Sequence, residues 1–343
     1  MQRYAALDAY RGFIMVMLVA NGFGVRALAQ ADPRFAWLAA QFDHVAWTGA
    51  VFWDMIQPAF LFMVGAAMPL ALAQRQSPVG HVAWRALKLI LLSQVLMCVS
   101  ANRLHFQLIN VLSQIGFTYF FCYLLLKLSF RAQIAGAALI LAGHTALFLL
   151  FPGSEGAFSK TDNIGAVIDR AWLGRNYSGS YVTINFISSI ASTLFGAWAA
   201  RLVTGDRSPR QKCGILAGWA AGSFAAGLLL SLWIPDVKRL WTASFALYST
   251  GWVLLMLLAF YWLFDVRGWK RLAFPLVVVG MNSIFIYSIH IVLQSWLNRS
   301  LGVFTGRFEW IGAAAPVAQA TALTALMWSL CWWLYRRRVF LKL

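Results

Sequence analysis

Apolar runs recur along the chain, cut by charged residues or by proline and glycine. About ten of them fall near 11–29, 52–74, 84–101, 108–128, 133–151, 184–203, 213–233, 244–264, 273–292 and 313–335. Most are close to the ~20 residues that an α-helix needs to cross a bilayer. The pattern predicts an all-α, polytopic membrane helix bundle that forms one domain over 1–343. No internal repeat breaks the series.

Composition supports a membrane protein. Hydrophobic residues make up 61% of the 343 and charged residues only 11%, with a mean hydropathy of +0.69. A soluble domain needs far more polar surface. The net charge of +17 would suggest nucleic acid in a soluble chain, but no basic run is interleaved with aromatics as a nucleic-acid groove requires. The cations are distributed by topology instead. With the N-terminus inside, 18 of the 28 basic residues but only three of the 11 acids fall on the inner side. That asymmetry predicts both termini in the cytoplasm. The four cysteines are scattered without metal-ligand or disulfide spacing, so no metal is expected. The seventeen tryptophans and many glycines leave a homodimer open.

Polar residues at the span ends carry the candidate chemistry. In "FDHVAWTGAVFWDMIQPAFLFMVG", 42–65, His44 lies near Asp43, Trp47, Trp53 and Asp54 at the mouth of an apolar span. Histidine changes charge near neutral pH and suits proton removal from an amine or hydroxyl; either aspartate could orient it. The structural alternative is an imidazole bonded to a loop carbonyl. Asn21, in "MVMLVANGFG", reads as an interhelical clasp or as a functional amide. "GMNSIFIYSIH", 280–290, places Asn282, Ser283, Tyr287 and His290 in one expected span, with His290 at the depth of His44. Arg11, Arg85 and Lys88 sit at inner span ends, either as snorkelling anchors or as ligands for an anionic cofactor. The outer stretch 152–183 is the longest polar segment and is expected to be functional rather than a tether.

"LDAYRGF", "HVAWTGAVFWDMIQPAFLFMVG", "AWR", "AVIDRAWLG", "KRLWTASF", "YWLFDVRGW", "GMNSIFIYSIH" and "LYRRRVFLKL" follow one another in that order. Together they resemble the membrane core of the heparan-α-glucosaminide N-acetyltransferase family, including its bacterial NagX-like members. The resemblance implies a multi-pass enzyme of the bacterial inner membrane. It would pass the acetyl group of cytosolic acetyl-CoA to the amine of an amino sugar on the periplasmic side. It also implies His44 as the catalytic histidine and general base, with Asn21 donating a hydrogen bond to the oxyanion, worth ~3 kcal/mol when well placed. An acetyl-histidine intermediate remains an alternative route. Asp43, Trp47, Asp54, Trp241, Asn282 and His290 are expected to bind or support the substrate, and Arg11, Arg85 and Lys88 to bind acetyl-CoA.

The chain departs from the family pattern at "LSQIG", where relatives read like "LQRLG", and at "YSGSYV", where they tend to carry Pro-Glu-Gly. Both changes bear on the acceptor sugar more than on the chemistry. The opening is also similar to that of membrane O-acyltransferases of the acyltransferase-three type, but those place a histidine where this chain has Asn21 and Gly22. The rival function is an inner-membrane amino-sugar transporter, although no paired half-repeats of the kind many transporters show are visible.

Overall fold

The computed structural model describes residues 4–74 and 78–341. Of the expected inner basic residues, Arg3, Arg75 and Lys342 lie outside that set. The described chain is built of long helices. They are α1 (Ala5–Ala20), α4 (Ile56–Gln74), α5 (Val79–Ala101), α6 (Val111–Leu126), α7 (Phe130–Leu150), α9 (Asn185–Thr204), α10 (Pro209–Ser231) and α11 (Ala243–Phe260). α12 (Lys270–Met281), α13 (Ser283–Thr305) and α14 (Ala315–Arg336) complete the bundle. Short helices α2 (Val25–Ala31), α3 (Ala36–Gln41) and α8 (Ile164–Leu173) decorate the end that carries His44. Among the described residues, eight helical runs are long and apolar enough to cross a membrane. One of them, 283–336, holds both α13 and α14, while α6 is apolar but shorter. The chain is a polytopic helical membrane protein.

Two expected spans are interrupted. The span at 11–29 ends its first helix at Asn21, which adopts the left-handed conformation, as do Gly22, Phe23 and Gly24. A left-handed residue costs roughly 1–2 kcal/mol for most side chains, glycine and asparagine being the usual exceptions, so the surroundings must hold Phe23 there. A Cβ on Gly22 would lie 3.0 Å from that of Phe42, and one on Gly24 only 2.5 Å from the Pro316 carbonyl oxygen. The turn is wedged between the His44 loop and the start of α14. The span at 273–292 is likewise two helices, broken at Asn282. Hydropathy is continuous across both breaks, so the apolar pattern alone gives no sign of them.

Two helix crossings are closed by reciprocal glycines. In the packing of α4 along α9, a Cβ on Gly65 would lie 1.7 Å from the Thr193 carbonyl oxygen, and one on Gly196 1.9 Å from that of Phe62. α1 packs on α12 in the same way, through Gly12 against Leu276 and Gly280 against Asp8. Small residues let backbones approach closely where lipid supplies no hydrophobic drive between helices. These crossings fix α4, which leads out of the His44 loop, and α1, which carries Arg11.

Stretch 152–183 folds over the His44 end. Asn163 caps α8 by accepting from the Ala166 N–H at 3.0 Å, and the Asp169 carboxylate accepts from the Thr183 N–H at 2.9 Å. Gly65→Ala is expected to force the α4–α9 crossing apart at a cost of ~1–3 kcal/mol. That predicts a lower melting temperature in detergent, whereas Gly143→Ala, whose added carbon meets nothing within 4 Å, should leave it unchanged. Equal melting temperatures for the two variants would contradict the packing.

Candidate active site

At the mouth of α4 the chain makes a tight turn, 52–55, and buries Asp54 completely. A carboxylate removed from water must find donors. Its Oδ1 lies 2.6 Å from His44 Nδ1 and accepts from Lys238 Nζ at 3.2 Å. Its Oδ2 faces the backbone N–H groups of Val51 at 3.3 Å and Val45 at 3.5 Å. Asp54, not Asp43, therefore orients the imidazole. Asp43 instead accepts from the His44 backbone N–H at 2.8 Å and pairs with Arg26 at 3.1 Å. The His44 side chain is 43% exposed. Its Nε2 has no hydrogen-bond partner among the described residues, so a lone pair there faces outward when Nδ1 carries the proton.

Lys238 was not singled out in the sequence, where it reads as one of two adjacent loop cations. It is only 5% exposed. Burial pushes its ammonium below the usual lysine value, and the Asp54 carboxylate opposes that shift. Its loop is a closed turn: the Trp241 N–H donates to the Lys238 carbonyl at 3.0 Å and the Thr242 N–H to that of Val237 at 3.3 Å. Trp241 is buried in a left-handed conformation and donates its indole N–H to Ser192 Oγ at 3.1 Å. It shapes the lysine's turn from beneath.

The rim joins both outer segments. Trp47 donates its indole N–H to the Phe158 carbonyl at 3.0 Å. The Arg239 guanidinium carbon lies 5.8 Å from the ring centres of both Trp47 and Tyr181, and Arg239 Nη1 donates to the Ala46 carbonyl. Trp53 packs on Phe42, the residue that also meets Gly22. Asn21 is exposed at the end of α1, and its amide has no partner among the described residues.

A second feature opens between α1, α4, α5, α6 and α13. It is a cavity of about 350 Å³ lined by Phe60, Met63, Leu112 and other apolar side chains, with Arg11 and Arg85 among its walls. Arg85 donates to Tyr119 Oη at 3.3 Å and lies over that ring, but its Nε is buried without a partner. Arg11 donates to the Gly280 carbonyl at 2.7 Å and pairs with Asp8 at 3.0 Å. Lys88 is half-buried and not among the lining residues. Asn282 is buried and donates to the Val339 carbonyl while accepting from the Leu341 N–H, each at 3.2 Å. It thereby clamps the C-terminal segment, whose Leu341 completes the cavity wall. Tyr287 and Ser283 line the same cavity, and His290 stands one helical turn beyond Tyr287 with a buried, unpartnered Nδ1. Asp54 and Phe60, six residues apart, place the two features roughly 10 Å apart along the chain.

Two groups of candidates thus come together, His44 with Asp54 and Arg11 with Arg85. Between them lies a buried polar layer that includes Gln114, the residue of the "LSQIG" departure. There Gln57 Nε2 donates to Gln114 Oε1 at 2.5 Å, and Gln114 Nε2 donates to Ser189 Oγ at 3.1 Å and Asn185 Oδ1 at 3.3 Å.

Residues 3–221 match the family model described as heparan-alpha-glucosaminide N-acetyltransferase, catalytic. The chain is also similar to the human heparan-alpha-glucosaminide N-acetyltransferase, 23% identical over an alignment 424 positions long, gaps included, and to the mouse protein, 22% identical over one of 431. Each alignment covers 99% of this chain and 60% of the relative, so the chain spans somewhat under two thirds of their length. With the match covering well over half of its residues, the chain belongs to the heparan-alpha-glucosaminide N-acetyltransferase catalytic family.

Proposed function

We propose that the protein is a transmembrane acetyltransferase of a bacterial inner membrane. It takes acetyl-CoA from the cytosolic side through the Arg11–Arg85 cavity and acetylates a glucosamine-type amine on the opposite side. The observation that carries the reading is the His44 imidazole, held at Nδ1 by a buried carboxylate and free at Nε2. His44 Nε2 takes a proton from the sugar amine as its nitrogen bonds to the acetyl carbonyl carbon. The C–S bond then breaks, and the CoA thiolate leaves and is protonated. Asn21, exposed at the end of α1 beside the His44 loop, is the candidate donor to the oxyanion.

The donor cavity fits the chemistry assigned to it. Its largely apolar walls give the thioester end a dry path, and the unpartnered Arg85 Nε is a guanidinium donor suited to phosphate. An extended pantetheine covers about half of a ~30 Å hydrocarbon core, which brings the thioester toward α4's first turns while the nucleotide stays at the basic end. The basic excess on that side supports cytosolic termini.

Acetyl-CoA should bind the detergent-solubilised protein and raise its melting temperature. Arg85→Ala should weaken that binding about tenfold or more, on the scale of one lost charge-assisted bond. Absence of acetyl-CoA binding in several detergents would favour the transporter reading. His44→Ala should keep acetyl-CoA affinity but lower transfer to glucosamine by ~10²-fold or more, the usual scale for a lost general base. Transfer at near the wild-type rate would make His44 structural.

A further inference from the structure

We propose that Lys238 is the positioning residue that balances the Asp54 carboxylate beside His44 and sets a positive charge against any proton added to the imidazole. The inference rests on the reading of His44 as the base.

Two donors converge on one oxygen. His44 Nδ1 lies 2.6 Å and Lys238 Nζ 3.2 Å from Asp54 Oδ1, and the two nitrogens are 3.4 Å apart. An ammonium can only donate. With Asp54 ionised, the short Nδ1 contact is an N–H donated to the carboxylate, which leaves the lone pair on Nε2 toward the outside. The opposite tautomer could accept from Lys238 but would set two acceptors, Nδ1 and Asp54 Oδ1, 2.6 Å apart and turn an N–H outward, so Asp54 selects the tautomer and Lys238 balances the carboxylate's charge.

Charge balance makes the second half of the argument. The Lys238 ammonium and Asp54 carboxylate neutralise one another inside a site that excludes water on the Asp54 side. A proton added to His44 would set two cations 3.4 Å apart around a single carboxylate. Without the lysine, the same carboxylate would favour the imidazolium.

The other charged groups that face His44 cannot substitute. Asp43 on its own loop is half-exposed and paired with Arg26 from α2. Arg239 is tied to the Ala46 carbonyl and to the Trp47 and Tyr181 rings. Asp236, in the lysine's loop, meets the His44 loop through its backbone carbonyl, which accepts from the Gly49 N–H at 2.8 Å. Tyr181 contributes a neutral phenol. The lysine's backbone is also held from behind, because Asn185 Nδ2 donates to the Arg239 carbonyl at 3.3 Å and Ser192 holds Trp241.

The test is the pH dependence of kcat/KM for transfer from acetyl-CoA to glucosamine, which reports the essential groups of the free enzyme and of the free amine, the amine's contribution being the same for every variant. Lys238→Met and Lys238→Gln should each move the acid limb about one to three pH units upward, with the rate recovering on the alkaline side. Lys238→Arg should keep the limb in place, and acetyl-CoA affinity should be unchanged in all three. A structural role would lower the rate at every pH and leave the limb where it was. That result, or loss of acetyl-CoA binding in both neutral variants, overturns the assignment. An unmoved limb together with an inactive His44→Ala overturns the lysine's role alone, whereas an active His44→Ala overturns the base as well.

Discussion

A carboxylate buried at the edge of an apolar bundle is the constraint on which the site depends. Asp54 is wholly shielded from solvent, and an ion so placed carries a penalty of several kcal/mol unless it is paired and hydrogen-bonded. Its donors come from the His44 loop and from the loop before α11, nearly two hundred residues away. The ion therefore stitches those two loops to α4. Removing one partner from such a pair costs ~3–5 kcal/mol, so the geometry that exposes His44 Nε2 is also the geometry that keeps this end of the bundle together.

α4 makes the connection between the two features. It begins at Asp54's turn, carries Gln57 into the buried polar layer, and then presents Phe60, Met63 and Val64 to the cavity. The glycine crossing with α9 holds it rigidly, and α9 in turn bonds the lysine's loop through Asn185 and Ser192. In the proposed reaction one helix pair thus holds the orienting carboxylate and the wall along which the donor arrives. The left-handed turn at Asn21 brings the end of α1 against the same loop through Gly22 and Phe42.

The bundle was legible in the sequence because its helices are long, apolar and separated by charge. The breaks at Asn21 and Asn282 were not, since a reversal of φ leaves hydropathy untouched; the asparagine and glycines there were the available hint. The pairing of His44 with an aspartate was foreseen, but two aspartates qualified, and choosing Asp54 required knowing which one is buried. Lys238 escaped notice because a lysine beside an arginine in a short loop looks like surface charge, and its partners lie far away in the chain. Arg11 and Arg85 were read from position, and they do line one cavity; Lys88, at a similar depth in the sequence pattern, does not. Asn282 was expected to bind or support the substrate, and its amide holds the C-terminal segment that completes the cavity wall.

The central claim is that donor and acceptor meet from opposite sides of the membrane, and sidedness of the reaction tests it most directly. The protein would be reconstituted in sealed vesicles in one known orientation, with acetyl-CoA supplied only on the Arg85 side and glucosamine only on the His44 side. The account predicts N-acetylglucosamine in the glucosamine compartment and free CoA in the other. Product formed only when both substrates share a compartment would contradict it.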